Sequence, residues 1–294
     1  MSETPYDIAI IGAGPGGYQA AIRAAQFGAK VALIERNELG GVCLNRGCIP
    51  TKALYSSADL IDRIRKGDEL GVEISQVNPN FKKAVTHKNK VVKELVEGIE
   101  QLQEAWKNDV FRGHGKILGG NLDDGFELSI EGKEKHKIHA KRVILATGTC
   151  CANIPDFHID HERILTSDDI LKSDFDIVPK SLLIIGAGYV GCEFANIFSS
   201  FGSKVTCLEY LPHPLMTEEP NVVKKMVDFI GEKGVEIHTS LNVLSVENTK
   251  SGVKAIAVST EVKKEDIEDA EKSEFEAEMC LISVGRTKNP KIWA

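Results

Sequence analysis

The chain has 294 residues, of which 42% are hydrophobic, enough to bury the cores of two ordinary domains. A net charge of −7, a pI near 5.7 and the lack of any face-sized run of Lys and Arg argue against a nucleic-acid partner. No apolar stretch approaches the ~20 residues of a membrane span, and the start "MSETPYD" is polar and acidic. The expectation is a cytoplasmic protein without nucleic-acid or membrane partners.

Residues 7–35, "DIAIIGAGPGGYQAAIRAAQFGAKVALIE", read as a short β-branched strand, a glycine turn, an amphipathic helix closed by Gly28, and a second strand ending on Glu35. Gly12, Gly14 and Gly17 permit a tight strand-to-helix turn with close backbone approach, so the helix N-terminus can face a pyrophosphate. Glu35 is placed to accept hydrogen bonds from a ribose. The stretch "GGVCLNRGCIPTK", residues 40–52, follows with Cys43 and Cys48 five positions apart. On a regular helix that spacing separates two side chains by roughly 140° and 7.5 Å along the axis, too far for a disulfide. A bond would need a distorted turn, which Gly40, Gly41, Gly47 and Pro50 can supply. A redox pair is possible there.

Residues 51–66 and 81–107 read as helices, the second with Val92, Leu95, Val96, Ile99, Leu102 and Trp106 at helical spacing, a packing stripe. Residues 110–146 alternate strand-like runs with glycines and end in "RVILATGT", read as a buried strand running into Thr147-Gly148. Residues 150–170 read as a linker. Its His158 and His161 lack the cysteines or acids of a metal site, and its Cys150-Cys151 pair reads as ordinary loop. No metal ligands are assigned.

Residues 181–209, "SLLIIGAGYVGCEFANIFSSFGSKVTCLE", then repeat the first unit without a gap at a constant offset of 174 residues. Gly186, Gly188, Gly191 and Glu209 stand where Gly12, Gly14, Gly17 and Glu35 stand. Two copies imply two dinucleotides, and a protein with two such sites commonly passes electrons between a flavin and a nicotinamide. No Lys or Arg follows Glu209 in "YLPHPLMTEEP" to pair a 2′-phosphate, which favours NAD over NADP. The charged run 261–278 reads as a solvent-facing hairpin or loop, and "MCLISVGR" as a last buried strand. Seven cysteines is an odd number, and Cys192, Cys207 and Cys280 sit in apolar segments, as reduced core thiols do. Any disulfide here would be catalytic.

The tandem motifs, with "GGVCLNRGCIPTK" beyond the first Glu, "ATGT" and "SVGRT", resemble the class I pyridine nucleotide-disulfide oxidoreductases over nearly the whole chain. Within that family the cysteine motif is most similar to that of the dihydrolipoamide dehydrogenases. The resemblance implies an α/β fold of two Rossmann-like, three-layer dinucleotide-binding domains, the second inserted into the first. The expected boundaries are an FAD-binding domain at 1–155, an NAD-binding domain at 156–278, and a segment returning to the first domain at 279–294. It implies that Cys43 exchanges with a substrate dithiol, that Cys48 is the thiolate lying against the flavin, and that Lys52 pairs with Glu193 near it. Tyr189 would cover the nicotinamide pocket, Glu35 and Glu209 would hold the two riboses, and Thr147, Gly148 and Gly285 would mark the junctions of the two domains. The activity implied is FAD-dependent oxidation of protein-bound dihydrolipoyl groups with NAD as acceptor, on lipoyl domains of 2-oxo acid dehydrogenase or glycine cleavage complexes. Alternatives are a glutathione- or mercuric-reductase type of enzyme, or a non-catalytic nucleotide-binding fragment. Full-length members are homodimers whose dimerisation domain carries a His-Glu acid–base pair. The sequence given stops at "KNPKIWA", and the expectation is that this domain is absent from it.

Overall fold

The structure, a computed structural model, describes residues 5–288. These fall into two compact units. The first takes the residues up to Pro50, Asn89–Cys150 and those from Thr287; the second takes Thr51–Lys88 and Cys151–Arg286.

The first unit is built on a six-stranded sheet. Strands β1 (Tyr6–Ile11), β2 (Val31–Glu35), β3 (Asp109–Arg112), β4 (His114–Asn121), β5 (Gly125–Glu131) and β6 (Lys135–Leu145) lie in the order β3-β2-β1-β6-β5-β4. The first four in that order run parallel, with Ile10 opposite Leu33 and Ile144, and β4–β5–β6 form an antiparallel meander. Because strand side chains alternate, Ile10 and Leu33 face one layer, with Ala21 of helix α1 (Pro15–Gln26) and Ile99 of the later helix α4 (Phe81–Ala105). Ile11 and Ile34 face the other, against Leu128 and Ile130 of the meander. Between α1 and α4 lie a short helix, α2 (Gly41–Arg46), and a long one, α3 (Cys48–Arg65).

The second unit repeats this plan. The short strand β7 (Thr149–Cys151) precedes β8 (Ile164–Thr166) and helix α5 (Ser167–Ile170). Strand β9 (Ser181–Ile185), helix α6 (Tyr189–Phe201) and strand β10 (Lys204–Leu208) form the second turn unit. Helix α7 (Pro220–Gly231) and strands β11 (Glu236–His238), β12 (Leu241–Asn248), β13 (Val253–Ser259), β14 (Ser273–Ala277), β15 (Met279–Ile282) and β16 (Arg286–Lys288) complete the described chain. A parallel sheet of order β11-β10-β9-β15-β8 is backed by the antiparallel sheet β12-β13-β14. Leu183 and Ile185 face Val246, Val253 and Ala255 on that side; Leu182 and Ile184 face Phe194 and Phe198 of α6 on the other. The fold class is the expected three-layer α/β arrangement, present twice.

Packing divides the chain differently from the linear boundaries expected at 155/156 and 278/279. Leu54 and Ala58 of α3 and Phe81, Ala84 and Val85 of α4 are buried in the core around α6, so residues 51–88 belong with the second unit. The linker expected over 150–170 holds β8, whose three residues are all buried and pair with β15. The charged run after 261 is loop with one 3-10 turn, Lys264–Asp266, as far as residue 272 and then a sheet strand, β14. "RVILATGT" is less buried than expected: Val143 and Ile144 are half-buried and Leu145 is exposed. In the α4 stripe Val92, Val96 and Ile99 join the core, whereas Leu95, Leu102 and Trp106 stay exposed. Cys192, Cys207 and Cys280 are buried, and burial raises all three thiols, Cys192 to about 12, so they are inert core residues.

One polar group in the second unit stands out. Lys88 is 1% exposed, and its Nζ donates to the carbonyls of Leu171 (2.9 Å) and Lys172 (2.7 Å) just beyond α5. Burial lowers its pKa to about 8 from 10.5, against an opposing pull from Asp174. Below pH 8 the ammonium is charged in both folded and unfolded chains, so its contribution is constant. Between 8 and 10.5 the unfolded chain holds the extra proton, so stability rises with pH. The stability of the native chain minus that of Lys88→Met is therefore expected to grow by about 1 kcal/mol per pH unit across that window, measured by urea unfolding. A flat difference would mean that Lys88 keeps an ordinary pKa.

Candidate dinucleotide and dithiol sites

In the first unit, β1 hands over to α1 through a turn that only glycine fits. Gly12 has φ of +101°, and its amide donates to the Ile34 carbonyl at 2.8 Å. A Cβ on Gly12 would stand 2.2 Å from the Ala146 carbonyl oxygen, and one on Gly17 only 1.7 Å from the Gly12 oxygen. Gly14 caps α1, and Pro15 follows, where the missing N–H costs nothing. At the end of β2, Glu35 closes the turn: Oε2 accepts from Ala13 N at 2.7 Å and Oε1 from Asn37 N at 2.9 Å.

The second turn reproduces each of these contacts. Gly186 has φ of +98° and its amide donates to the Leu208 carbonyl at 2.7 Å. A Cβ on Gly186 would lie 2.7 Å from the Ser283 oxygen, and one on Gly191 2.0 Å from the Gly186 oxygen. Glu209 accepts from Ala187 N at 2.6 Å and from Leu211 N at 2.8 Å. Ala13 and Asn37 stand 174 positions before Ala187 and Leu211, the offset of the glycines themselves. Sequence reasoning had singled out both carboxylates but not these amides; the register of the repeat was the signal. The junction positions correspond too. Ala146 N donates to Ile11 O, and Ser283 N to Ile185 O, each at 2.8 Å. Gly148 and Gly285 follow two residues later with φ of +69° and +116°. Thr147 lies half-buried between Ala146 and Gly148. One departure from the symmetry is Ser283, whose Oγ donates to the carbonyls of Ile185 and Gly186.

The cysteine segment is fastened to the first turn. Gly40 N donates to Ala13 O at 2.9 Å, and Gly40 and Gly41 take φ of +91° and +57°. Gly41 lies so near Gly14 that a Cβ there would stand 2.6 Å from the Gly14 Cα. Helix α2, carrying half-buried Cys43, ends at Arg46. Gly47 breaks the helix with φ −152° and ψ −116°, its backbone folded against Val42 and Cys43, and α3 restarts at exposed Cys48. The two cysteines thus sit on two helices joined by a glycine break, the distortion that their spacing demands. Asn45 holds the segment by donating to the Leu39 and Gly41 carbonyls, both at 2.9 Å.

In the second unit, Lys52 Nζ and Glu193 Oε1 form an ion pair at 2.5 Å between α3 and α6. Tyr189 opens α6, is 59% exposed, and donates its hydroxyl to Glu218 beside Thr217. His161 Nδ1 lies 2.9 Å from Asp169, and among the described residues no group of three or more His, Cys, Asp or Glu could hold a metal. Cys151 contacts Asp168 and Arg286, and Cys150 contacts Thr287. No helix among the described residues is long and apolar enough to cross a membrane.

Two units, each with a glycine turn closed by a carboxylate, and a paired-cysteine break docked on one of them, define a class. Residues 6–293 match the pyridine nucleotide-disulphide oxidoreductase family, and the chain belongs to it. Among curated relatives, a dihydrolipoyl dehydrogenase of Bacillus subtilis is 38% identical over 291 residues, covering 97% of this chain and 60% of the relative. One from Acholeplasma laidlawii is 36% identical, covering 97% of this chain and 80% of the relative. Of solved structures, LpdA of Mycobacterium tuberculosis superposes with a TM-score of 0.85 at 23% identity, over 97% of this chain and 59% of that one. The HOCl-induced flavoprotein disulfide reductase RclA of Escherichia coli does so with a TM-score of 0.78 at 26% identity, over 98% and 58%. The chain thus spans about three fifths of the length of most of these proteins.

The glycines of the second turn separate folding from access. A Cβ on Gly191 collides with backbone, whereas one on Gly188 meets nothing within 4 Å. Gly191→Ala is expected to lose about 2–4 kcal/mol of stability and Gly188→Ala less than about 0.5 kcal/mol, compared by urea unfolding. Equal losses would contradict the contact described for Gly191.

Proposed function

We propose that the chain is the dinucleotide-binding part of a dihydrolipoamide dehydrogenase, oxidising protein-bound dihydrolipoyl groups with FAD and NAD through the Cys43–Cys48 pair. The observation that carries this reading is the docking of the cysteine segment on the first glycine turn, through Gly40 on Ala13 and Gly41 on Gly14. This contact supports reading the two cysteines as a dithiol beside the proposed FAD position. The residues fit the two nucleotides. The space before Gly188 is open and that before Gly14 meets only the Gly41 Cα at 3.8 Å, leaving room for a pyrophosphate at each helix start. Each carboxylate oxygen of Glu35 and Glu209 uses one lone pair on a backbone amide and keeps another for a ribose hydroxyl. In this reading Gly12, Gly14, Gly17, Glu35, Thr147 and Gly148 serve FAD, while Gly186, Gly188, Tyr189, Gly191, Glu209 and Gly285 serve NAD.

The thiol chemistry falls to the chain's own sulfurs. In the oxidised protein a substrate thiolate attacks Cys43 Sγ, breaking the Cys43–Cys48 disulfide and releasing Cys48 as a thiolate. The second substrate thiol then attacks the substrate sulfur joined to Cys43 and passes its proton to the departing Cys43 sulfur, leaving a cyclic disulfide on the substrate and two electrons on the protein dithiol. Cys48 opens α3, where the positive end of the helix dipole favours negative charge. Lys52 is held by Glu193 one turn along that helix, as the catalytic pair of the proposal. A bound flavin would take up the electron pair, and NAD would carry it away as hydride. The identity of the curated relatives favours lipoyl domains of 2-oxo acid dehydrogenase or glycine cleavage complexes as the thiol donors, and a homodimer as the working state.

The two sulfurs have different roles, and substitution separates them. In FAD-loaded protein, two-electron reduction is expected to raise a long-wavelength absorption band that Cys48→Ser abolishes. Cys43→Ser should show a related band without reduction. Identical spectra in the two variants would remove the assignment.

A further inference from the structure

The second unit contains a cavity unrelated to either glycine turn. It has a volume of about 520 Å³ and lies between α3, the loop 71–80 and the first turns of α4. Its walls are mostly apolar, with Leu60 and Ile64 from α3, Ile74 from the loop and Phe201 from the end of α6, though Ser57, Gln76, Asn78 and Asn80 also line it. Leu60 is 58% exposed and Ile74 41%, so two aliphatic side chains around this hollow lie bare to solvent. The size lies within the range of small-molecule sites.

The lining is not only apolar. Lys83 and His87, one turn apart on α4, both border the cavity and are exposed. Among the described residues neither side chain has a hydrogen-bond or ion-pair partner. Other lysines near this region are engaged: Lys82 pairs with Asp176, Lys66 with Glu232 and Lys233 with Asp62. No carboxylate lines the cavity to oppose the two basic groups. An apolar hollow with an unpaired cation and an imidazole on one side complements a ligand with a hydrocarbon body and one anionic end.

We propose that this cavity binds an amphipathic carboxylate, a medium-length acyl chain whose tail lies between Leu60, Ile64, Ile74 and Phe201 and whose carboxylate meets Lys83 and His87. A planar carboxylate can accept from both groups at once. The tail gains by covering aliphatic surface that water now contacts. The site needs neither nucleotide, so its occupancy is independent of the proposed redox function.

The test is isothermal titration calorimetry on the 294-residue chain with sodium decanoate below its micelle concentration, with decanol as the neutral analogue. One saturable site per chain is expected, at least 10-fold tighter for decanoate than for decanol. Lys83→Glu with His87→Gln should weaken decanoate at least 10-fold and leave decanol unchanged, while Leu60→Asp should weaken both. Lys83→Gln, which keeps the helix and removes only the charge, should give an intermediate loss. Absence of saturable binding, equal affinity for the two ligands, or indifference to the Lys83 and Leu60 substitutions would each overturn the proposal.

Discussion

The proposed redox function of this protein depends on a carboxylate held by two backbone amides at the end of a strand. Glu35 and Glu209 each close a glycine turn by accepting from the amide that follows the first glycine and from one two residues beyond the carboxylate itself. A hydrogen bond to a charged acceptor is worth roughly 1.5–3 kcal/mol, and two of them fix the turn relative to the second strand. The glycines then bring backbone to within van der Waals contact: no side chain fits at Gly12, Gly17, Gly186 or Gly191 without displacing a carbonyl. A Cβ at Gly188 would meet nothing within 4 Å, and one at Gly14 only the Gly41 Cα at 3.8 Å.

The same turn organises the dithiol. Gly41 can lie on Gly14 only because Gly41 lacks a side chain, whose Cβ would stand 2.6 Å from the Gly14 Cα, and that contact anchors the start of the cysteine segment. Gly47 then interrupts the helix between Cys43 and Cys48. The proposed nucleotide position and the two cysteines are therefore linked by a continuous run of backbone contacts within one unit. The buried thiols Cys192, Cys207 and Cys280, raised by desolvation, stay outside this chemistry.

Much of this was legible in the sequence because a gapless repeat reports geometry as well as ancestry: the bonds of Gly12 to Ile34 and of Glu35 to Ala13 and Asn37 have their counterparts at the same offset. The Lys52–Glu193 pair was legible only through family resemblance, since 141 residues separate its members. Other features left no readable signal. The burial of Leu54, Ala58 and Phe81 with α6, which moves residues 51–88 into the second unit, is a long-range packing fact that helical periodicity cannot report. Strand β8 was hidden because three residues are too few for an alternation to show. The exposed face of "RVILATGT" and of the α4 stripe was misread because an apolar pattern specifies a surface that can be covered, without specifying what covers it.

The most direct measurement of the central claim is nucleotide stoichiometry by equilibrium dialysis on the 294-residue chain and on variants that fill one open turn at a time, Gly14→Val and Gly188→Val. The account predicts one FAD and one NAD per chain, with Gly14→Val losing only FAD and Gly188→Val losing only NAD. A single nucleotide per chain in the unaltered protein, or loss of the same nucleotide in both variants, would contradict it.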